Sequence, residues 1–316
     1  MNVVFMGTPD FAVGTLEALI AAGHSIRLVV TQPDKARGRG NKVSYSPVKE
    51  AALKHGLPVF QPKRIRDPEA VDRLRDCTAD VIVVVAFGQI LPQEILDLPK
   101  YGCVNVHASL LPKYRGAAPI QWSVIHGDAY TGVTTMQMDA GMDTGDMLLK
   151  EQIRLDPQET GGSLFDRLSG VGAALCVKTL AGLAEGSITP TPQDESQATY
   201  TRMIQKSDGR IDFTEPARRI ECLIRGMNPW PSAFTRLHGR TLKIWSAQVT
   251  DPDALPNGRS PGEVLALEKD GFTVMTGQGI LKVTEVQAEG KKRMDAGAFL
   301  RGYSLQAGEK LGADES

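Results

Sequence analysis

Cysteine is scarce in this chain: four residues, at 77, 103, 176 and 222, far apart and forming no C-x-x-C pair. That spacing excludes a disulfide framework and a thiolate metal site, and leaves reduced, buried thiols in a cytoplasmic protein as the expectation. Long apolar runs are missing too. None approaches the roughly 18 residues that a membrane span needs, so no membrane association is expected. The first residues, MNVVFMGTPDF, carry neither a basic flank nor a small-residue cleavage site, and they read as a first strand rather than a signal peptide. Charge of one sign is equally absent. The net charge is −1. Residues 1–200 hold 19 Lys/Arg against 22 Asp/Glu, and residues 201–316 hold 17 against 15, which gives −3 and +2. No global field attracts a polyanion, so any nucleic acid would be held by local patches.

The usual nucleotide signatures are missing as well. Gly7 follows an apolar strand, but GTPDFAVG is neither G-x-G-x-x-G nor a phosphate-binding G-x-x-x-x-G-K-[ST]. Gly38-Arg39-Gly40 follows the second strand, the wrong place for a pyrophosphate cradle. The five histidines show no metal-ligand spacing, so no metal is expected. Neither an internal repeat nor a low-complexity segment is visible.

What remains is an ordinary globular composition, 41% hydrophobic and 23% charged, over 316 residues, long enough for two domains. The first half alternates apolar strands with helical stretches. Strands are predicted at Val3–Met6, Ile26–Thr31, Val81–Phe87, Cys103–Val106, Val133–Met138 and Met147–Leu155. Helices are predicted near Asp10–Ala22, Pro47–His55, Pro68–Arg75, Ala117–His126 and Ser163–Glu185. The unbroken run Val81-Ile82-Val83-Val84-Val85 marks a central strand covered on both faces. Such alternation implies an α/β, Rossmann-like, doubly wound and mostly parallel sheet, with ligands beyond the carboxyl ends of its strands. We expect this domain at 1–188 and a polar linker at 189–206. A second domain then follows at 207–316. There, after a helix at Pro216–Met227, five short strands separated by Gly-bearing turns predict a small barrel of the oligonucleotide-binding (OB) type.

Two stretches carry the chemistry: Asn105–Pro119 (NVHASLLPKYRGAAP) and Gly141–Asp146 (GMDTGD). Asn105 and His107 flank Val106, so on an extended segment both side chains face one way. An amide, an imidazole and a carboxylate in one cleft suit attack of an amine on a carbonyl. Asn and protonated His would stabilise the oxyanion, while His or Asp would handle the amine proton. The bland alternative is a strand end with two satisfied polar side chains. Spacing alone does not separate Asp143 from Asp146, since either can cap a turn. The stretch Asp34–Lys42 (DKARGRGNK) sets Lys35, Arg37, Arg39 and Lys42 against one acid. It is either a solvated loop or a basic arm reaching an RNA end. Lys291-Lys292-Arg293, with Arg218, Arg219, Arg240 and Lys243, could form a phosphate-contacting stripe on the barrel. Trp122, Trp230 and Trp245 are expected in the core or at the domain interface.

The chain resembles the methionyl-tRNA formyltransferase family, within the wider group of formyltetrahydrofolate-using enzymes. The matching residues are Asn105-Val106-His107, Ser109-Leu110-Leu111-Pro112, Tyr114 through Gln121, and Met138-Asp139 through Gly145-Asp146. Gly7 through Phe11, Thr31-Gln32-Pro33-Asp34 and Asn228-Pro229-Trp230-Pro231 match as well. The resemblance spans nearly the whole chain, and its last two segments point to the tRNA-acting members. It implies an enzyme with a catalytic trio of Asn105, His107 and Asp143, favouring Asp143 over Asp146. It further implies a folate site lined by Ser109, Leu110, Leu111 and Pro112, with apolar residues near Val84–Gln89 over the pterin. Lys35, Arg37, Arg39 and Lys42 would contact the acceptor stem of tRNA. The implied reaction moves a formyl group from 10-formyltetrahydrofolate to the α-amino group of initiator methionyl-tRNA, in a cytoplasmic protein expected to be a monomer. Rivals are formylation of a small amine, hydrolysis of the same donor, and a noncatalytic RNA-binding role. The last has no need of the trio.

Overall fold

The computed structural model describes residues 1–37 and 42–312, with the side chains of 35–37, 42 and 43 left out. The chain forms two compact units. One comprises Met1–Pro119, Tyr130–Arg154 and Phe165–Thr201; the other comprises Ile120–Ala129, Leu155–Leu164 and Arg202–Ser316. The first unit therefore takes in most of 189–206.

In the first unit seven strands form one sheet: β1 (Asn2–Gly7), β2 (Ser25–Val30), β3 (Val59–Phe60), β4 (Val81–Val85), β5 (Cys103–His107), β6 (Tyr130–Gln137) and β7 (Met147–Arg154). Their order is β7-β6-β5-β4-β1-β2-β3. The first five pair in parallel, and β6 and β7 add an antiparallel edge. β4 is buried at every position, as its unbroken Val/Ile run requires. It stops two residues short of the expected Phe87 because Ala86 turns the chain at φ 47°.

Helices α1 (Asp10–Ala21), α2 (Pro47–Lys54) and α3 (Pro68–Asp76) fall within two residues of their predicted bounds. At α2 the Ser46 side chain accepts from the Lys49 amide with Pro47 following it, which is a sufficient local reason for the helix to begin there. Strand β3 is too short for a periodicity to announce it. The helix Gly161–Glu185 is long and apolar enough to cross a membrane by length and hydropathy. A search for apolar runs passes over it because Asp166, Arg167 and Lys178 interrupt it. Its contacts are those of a core helix: Phe165 packs edge-on to Phe11 at 5.4 Å, Ser169 donates to the Phe11 carbonyl, and Thr179 shares a 2.8 Å hydrogen bond with Thr135 of β6.

In the second unit the strands are β8 (Ala233–Leu237), β9 (Arg240–Asp251), β10 (Val264–Glu268), β11 (Gly271–Met275), β12 (Ile280–Ala288) and β13 (Met294–Asp295). They form one antiparallel sheet in the order β8-β9-β12-β11-β10, with β13 on β12. Five of the six are those predicted. Among the described residues no pairing joins β8 to β10, and an OB-type barrel is itself only partly closed.

Candidate active site

Asn105 and His107 occupy the carboxyl end of β5, where a ligand is expected in a sheet of this topology. Both are buried, at 9% and 7% exposure. They meet the same residue. Asn105 Nδ2 is 3.4 Å from Asp143 Oδ1, and His107 Nδ1 is 3.7 Å from Asp143 Oδ2. The shared direction read from the i, i+2 spacing is therefore present, and Asp143 is the acid that reaches the imidazole. Asp146 is exposed, and its carbonyl accepts from the Gln137 amide. Asp139 caps the turn that contains Asp143, accepting from the Gly141 amide and the Thr144 hydroxyl.

The imidazole is held from its far side. Its Nε2 lies 2.8 Å from the carbonyl oxygen of Tyr114. A carbonyl can only accept, so Nε2 carries a hydrogen and donates it. The lone pair of the neutral ring is then on Nδ1, the nitrogen facing Asp143. At 3.7 Å that contact is too long for a hydrogen bond but close enough for an ion pair once the ring is charged. Asp143 Oδ2 also accepts from the Gly116 amide at 2.8 Å. Tyr114, Gly116, Ala118 and Asp143 all have φ between 55° and 96°, a cluster of sparsely populated backbone states of the kind found at functional sites.

The Ser109–Pro112 segment divides its work. Ser109 Oγ turns inward to donate to the Lys113 carbonyl at 2.6 Å, and the Ser109 carbonyl accepts from Thr134 Oγ1. Leu110, Leu111 and Pro112 line an open cleft of about 530 Å³ with Lys150 and Thr199. Lys150 Nζ donates to the Leu111 carbonyl, and burial pulls its pKa below the usual lysine range. After β4, the Phe87 carbonyl accepts from Thr8 Oγ1 and Gln32 Nε2, both at 3.1 Å, and Ile90 beyond it is 87% exposed.

Of the basic arm, Arg39 lies outside the described residues, as do the side chains of Lys35, Arg37 and Lys42. Its base is visible. Lys35–Arg37 and Lys42–Ser44 pair as an antiparallel hairpin where the sequence suggests only loop. Beneath it Lys49 Nζ bonds Asp34 at 2.5 Å and Gln61 at 2.8 Å.

On the second unit, Arg219 is paired to Glu215 and Arg293 to Glu285, so neither is a bare charge. Trp245 is half-buried, with Arg293 and Lys243 against its ring. Trp230 is 54% exposed rather than in a core. It stands between two cis X-Pro bonds, Asn228-Pro229 and Trp230-Pro231.

Residues 1–180 match the Formyl transferase family, and residues 203–304 match the Formyl transferase C-terminal domain. Methionyl-tRNA formyltransferase of Lachnospira eligens is 60% identical over 314 residues, which is 99% of this chain and all of that protein. The enzyme of the same name from Geobacter metallireducens is 50% identical over 312 residues, 99% of each. The chain belongs to the methionyl-tRNA formyltransferase family. A solved structure of an N-formyltransferase from Helicobacter canadensis, in complex with folinic acid and dTDP-3-aminofucose, matches with a TM-score of 0.67. It is 16% identical and covers 90% of this chain and 98% of its own. At that identity the match speaks for the formyltransferase fold.

Asn105, His107 and Asp143 all lie within the stretch 1–180 that matches the Formyl transferase family. Sequence reasoning assigned no role to Tyr114, Arg115, Gly116 or Gln193. All four shape the surroundings of the trio. The visible signal was the segment Tyr114-Arg115-Gly116, lying seven to nine residues after His107.

Proposed function

We propose that this protein, acting as a cytoplasmic monomer, transfers the formyl group of 10-formyltetrahydrofolate to the α-amino group of initiator methionyl-tRNA. Catalysis lies in the domain at 1–188, completed by the hydrogen bonds of Gln193, and residues 207–316 bind tRNA. The reading is carried by the convergence of Asn105 and His107 on Asp143.

The neutral amine attacks the formyl carbon, a C–N bond forms, and the carbonyl oxygen becomes an oxyanion. The Asn105 amide and the Nδ1–H of a charged His107 donate to that oxygen. Asp143 lies beside both donors and takes the proton the amine loses, directly or through a water. Collapse of the intermediate breaks the bond to N10 of the folate, which leaves with the proton that Asp143 took up, so the site returns to its starting charge. One preorganised donor of this kind typically contributes on the order of 10²–10³ in rate. The step as written uses no metal and no covalent enzyme intermediate. Leu110, Leu111 and Pro112 contribute to the folate site, with Ser109 holding their turn. Lys35, Arg37, Arg39 and Lys42 grip the acceptor end, and Lys35, Arg37 and Lys42 stand on paired strands next to the Asp34, Lys49 and Gln61 cluster.

The test offers 10-formyltetrahydrofolate with methionyl-initiator tRNA, free methionine and glycinamide ribonucleotide in parallel. Formyl-methionyl-tRNA as sole product is expected. Formylation of a small amine, or release of formate without any acceptor, would overturn the tRNA reading and keep the trio.

A further inference from the structure

We propose that Arg115 and Gln193 are positioning residues of this site: together they hold the Asp143 turn at its distance from His107. The inference rests on the formyl-transfer reading above.

Three consecutive residues serve three partners. The Tyr114 carbonyl accepts from His107, the Arg115 side chain binds Gln193, and the Gly116 amide donates to Asp143. This short segment is clamped to the stretch 199–201. The Tyr114 amide donates to Thr199 Oγ1, the Arg115 amide to the Thr199 carbonyl, and the Ala117 amide to the Thr201 carbonyl.

Arg115 is fully buried, at 0% exposure. A buried guanidinium is costly unless its donors are met. Here Nε donates to Gln193 Oε1 at 3.0 Å, Nη1 to Glu195 at 2.9 Å and Tyr200 Oη at 3.0 Å, and Nη2 to Glu195 at 2.6 Å. A neutral glue would suffice to tie down residues 193–200, and an apolar contact there would be as stable. The Nε–H donor does something an apolar contact could not. By occupying Oε1 of Gln193, it orients that amide so that Nε2 points the other way. Nε2 then donates to the carbonyls of both Asp143 and Gly145 at 2.8 Å. Gly145 has no slack, since a Cβ there would stand 1.7 Å from the Gln137 carbonyl oxygen. Asp143 is thus fixed by its carboxylate from Gly116 and by its backbone from Gln193, with Arg115 behind both.

The test compares wild type with Gln193→Glu and Gln193→Met in the full-length protein. Gln193→Glu is nearly isosteric and still accepts from Arg115, but it has no N–H for the two carbonyls. Gln193→Met keeps the size and loses both functions. A misplacement of about 1 Å can cost 10²-fold, so both variants should lose about 10- to 100-fold in kcat. KM for each substrate should move less than about threefold, and the pH profile of kcat should shift while circular dichroism stays native. Unchanged kcat and pH profile would overturn the proposal, as would a loss confined to KM. Unfolding of both variants would make the pair a structural brace and overturn it equally. If the wild type formylates a different amine, the tRNA reading fails, and the same comparison is made on that amine.

Discussion

His107 is pinned by a residue only seven positions along the chain: its Nε2 donates to the backbone oxygen of Tyr114 at 2.8 Å. That bond chooses the tautomer before any substrate arrives: the neutral ring carries its proton on Nε2 and its lone pair on Nδ1. In two-bond proton–nitrogen spectra of the neutral ring, Nε2 should carry the proton and Nδ1 should not. A neutral ring with its proton on Nδ1 would contradict the assignment.

Removing the ring should leave the fold intact and cut the rate. His107→Ala is expected to lower formyl transfer by at least about 10²-fold, with native circular dichroism. Near-normal turnover would remove His107 from the mechanism.

The two acids of the Gly141–Asp146 turn should separate cleanly. Asp143 accepts from Asn105 and Gly116, whereas Asp146 is exposed and, among the described residues, offers the fold only its backbone oxygen. Asp143→Asn should therefore lose about 10²-fold or more in kcat, and Asp146→Asn should stay near wild type. Equal losses in steady-state kinetics would argue against the distinction.

Replacing Arg37 and Arg39 together with Ala should raise KM for the tRNA substrate far more than KM for the folate, as expected if both side chains contact RNA phosphate or bases. A parallel rise in both constants, or none in either, would argue against the basic arm.

The base of that arm has an acid limit. Hydrogen bonds from Lys49 and then Gln61 hold the Asp34 carboxyl below its usual value of 3.8. A carboxyl depressed in the folded state adds stability that is fully present above its unfolded pKa. That stability is lost as pH falls through the lower, folded value. Urea unfolding at a series of pH values should show wild type losing its advantage over Asp34→Asn below about pH 4. A constant difference down to pH 2 would refute the linkage.

Much of this fold is legible in the sequence because its long elements carry periodicity. The unbroken Val81–Val85 run announces a central strand, and Ser46-Pro47 announces a helix start. Asn105 and His107 are legible for the same reason, since a two-residue spacing on a strand fixes a shared face. Asp143 against Asp146 is not, because both sit in one turn and the choice is made by distant groups, the Gly116 amide and the Gln193 side chain. The 189–206 stretch is opaque for a related reason. Its contacts are short and mixed, side chains at Gln193 and Glu195 and backbone groups at Thr191, Thr199 and Thr201, and they leave no repeating pattern.

The bond from Gln193 to the Asp143 carbonyl spans 50 positions of sequence, and that from Arg115 to Tyr200 spans 85. A nascent chain that has emerged only as far as residue 188 would already carry the whole seven-stranded sheet together with Asn105, His107 and Asp143. It would still lack the clamp that sets their spacing. The pocket is therefore finished only after its own sheet is complete, by a strip that adds no strand to that sheet. In the order of synthesis the sheet and the trio come first, and the spacing of the trio comes second.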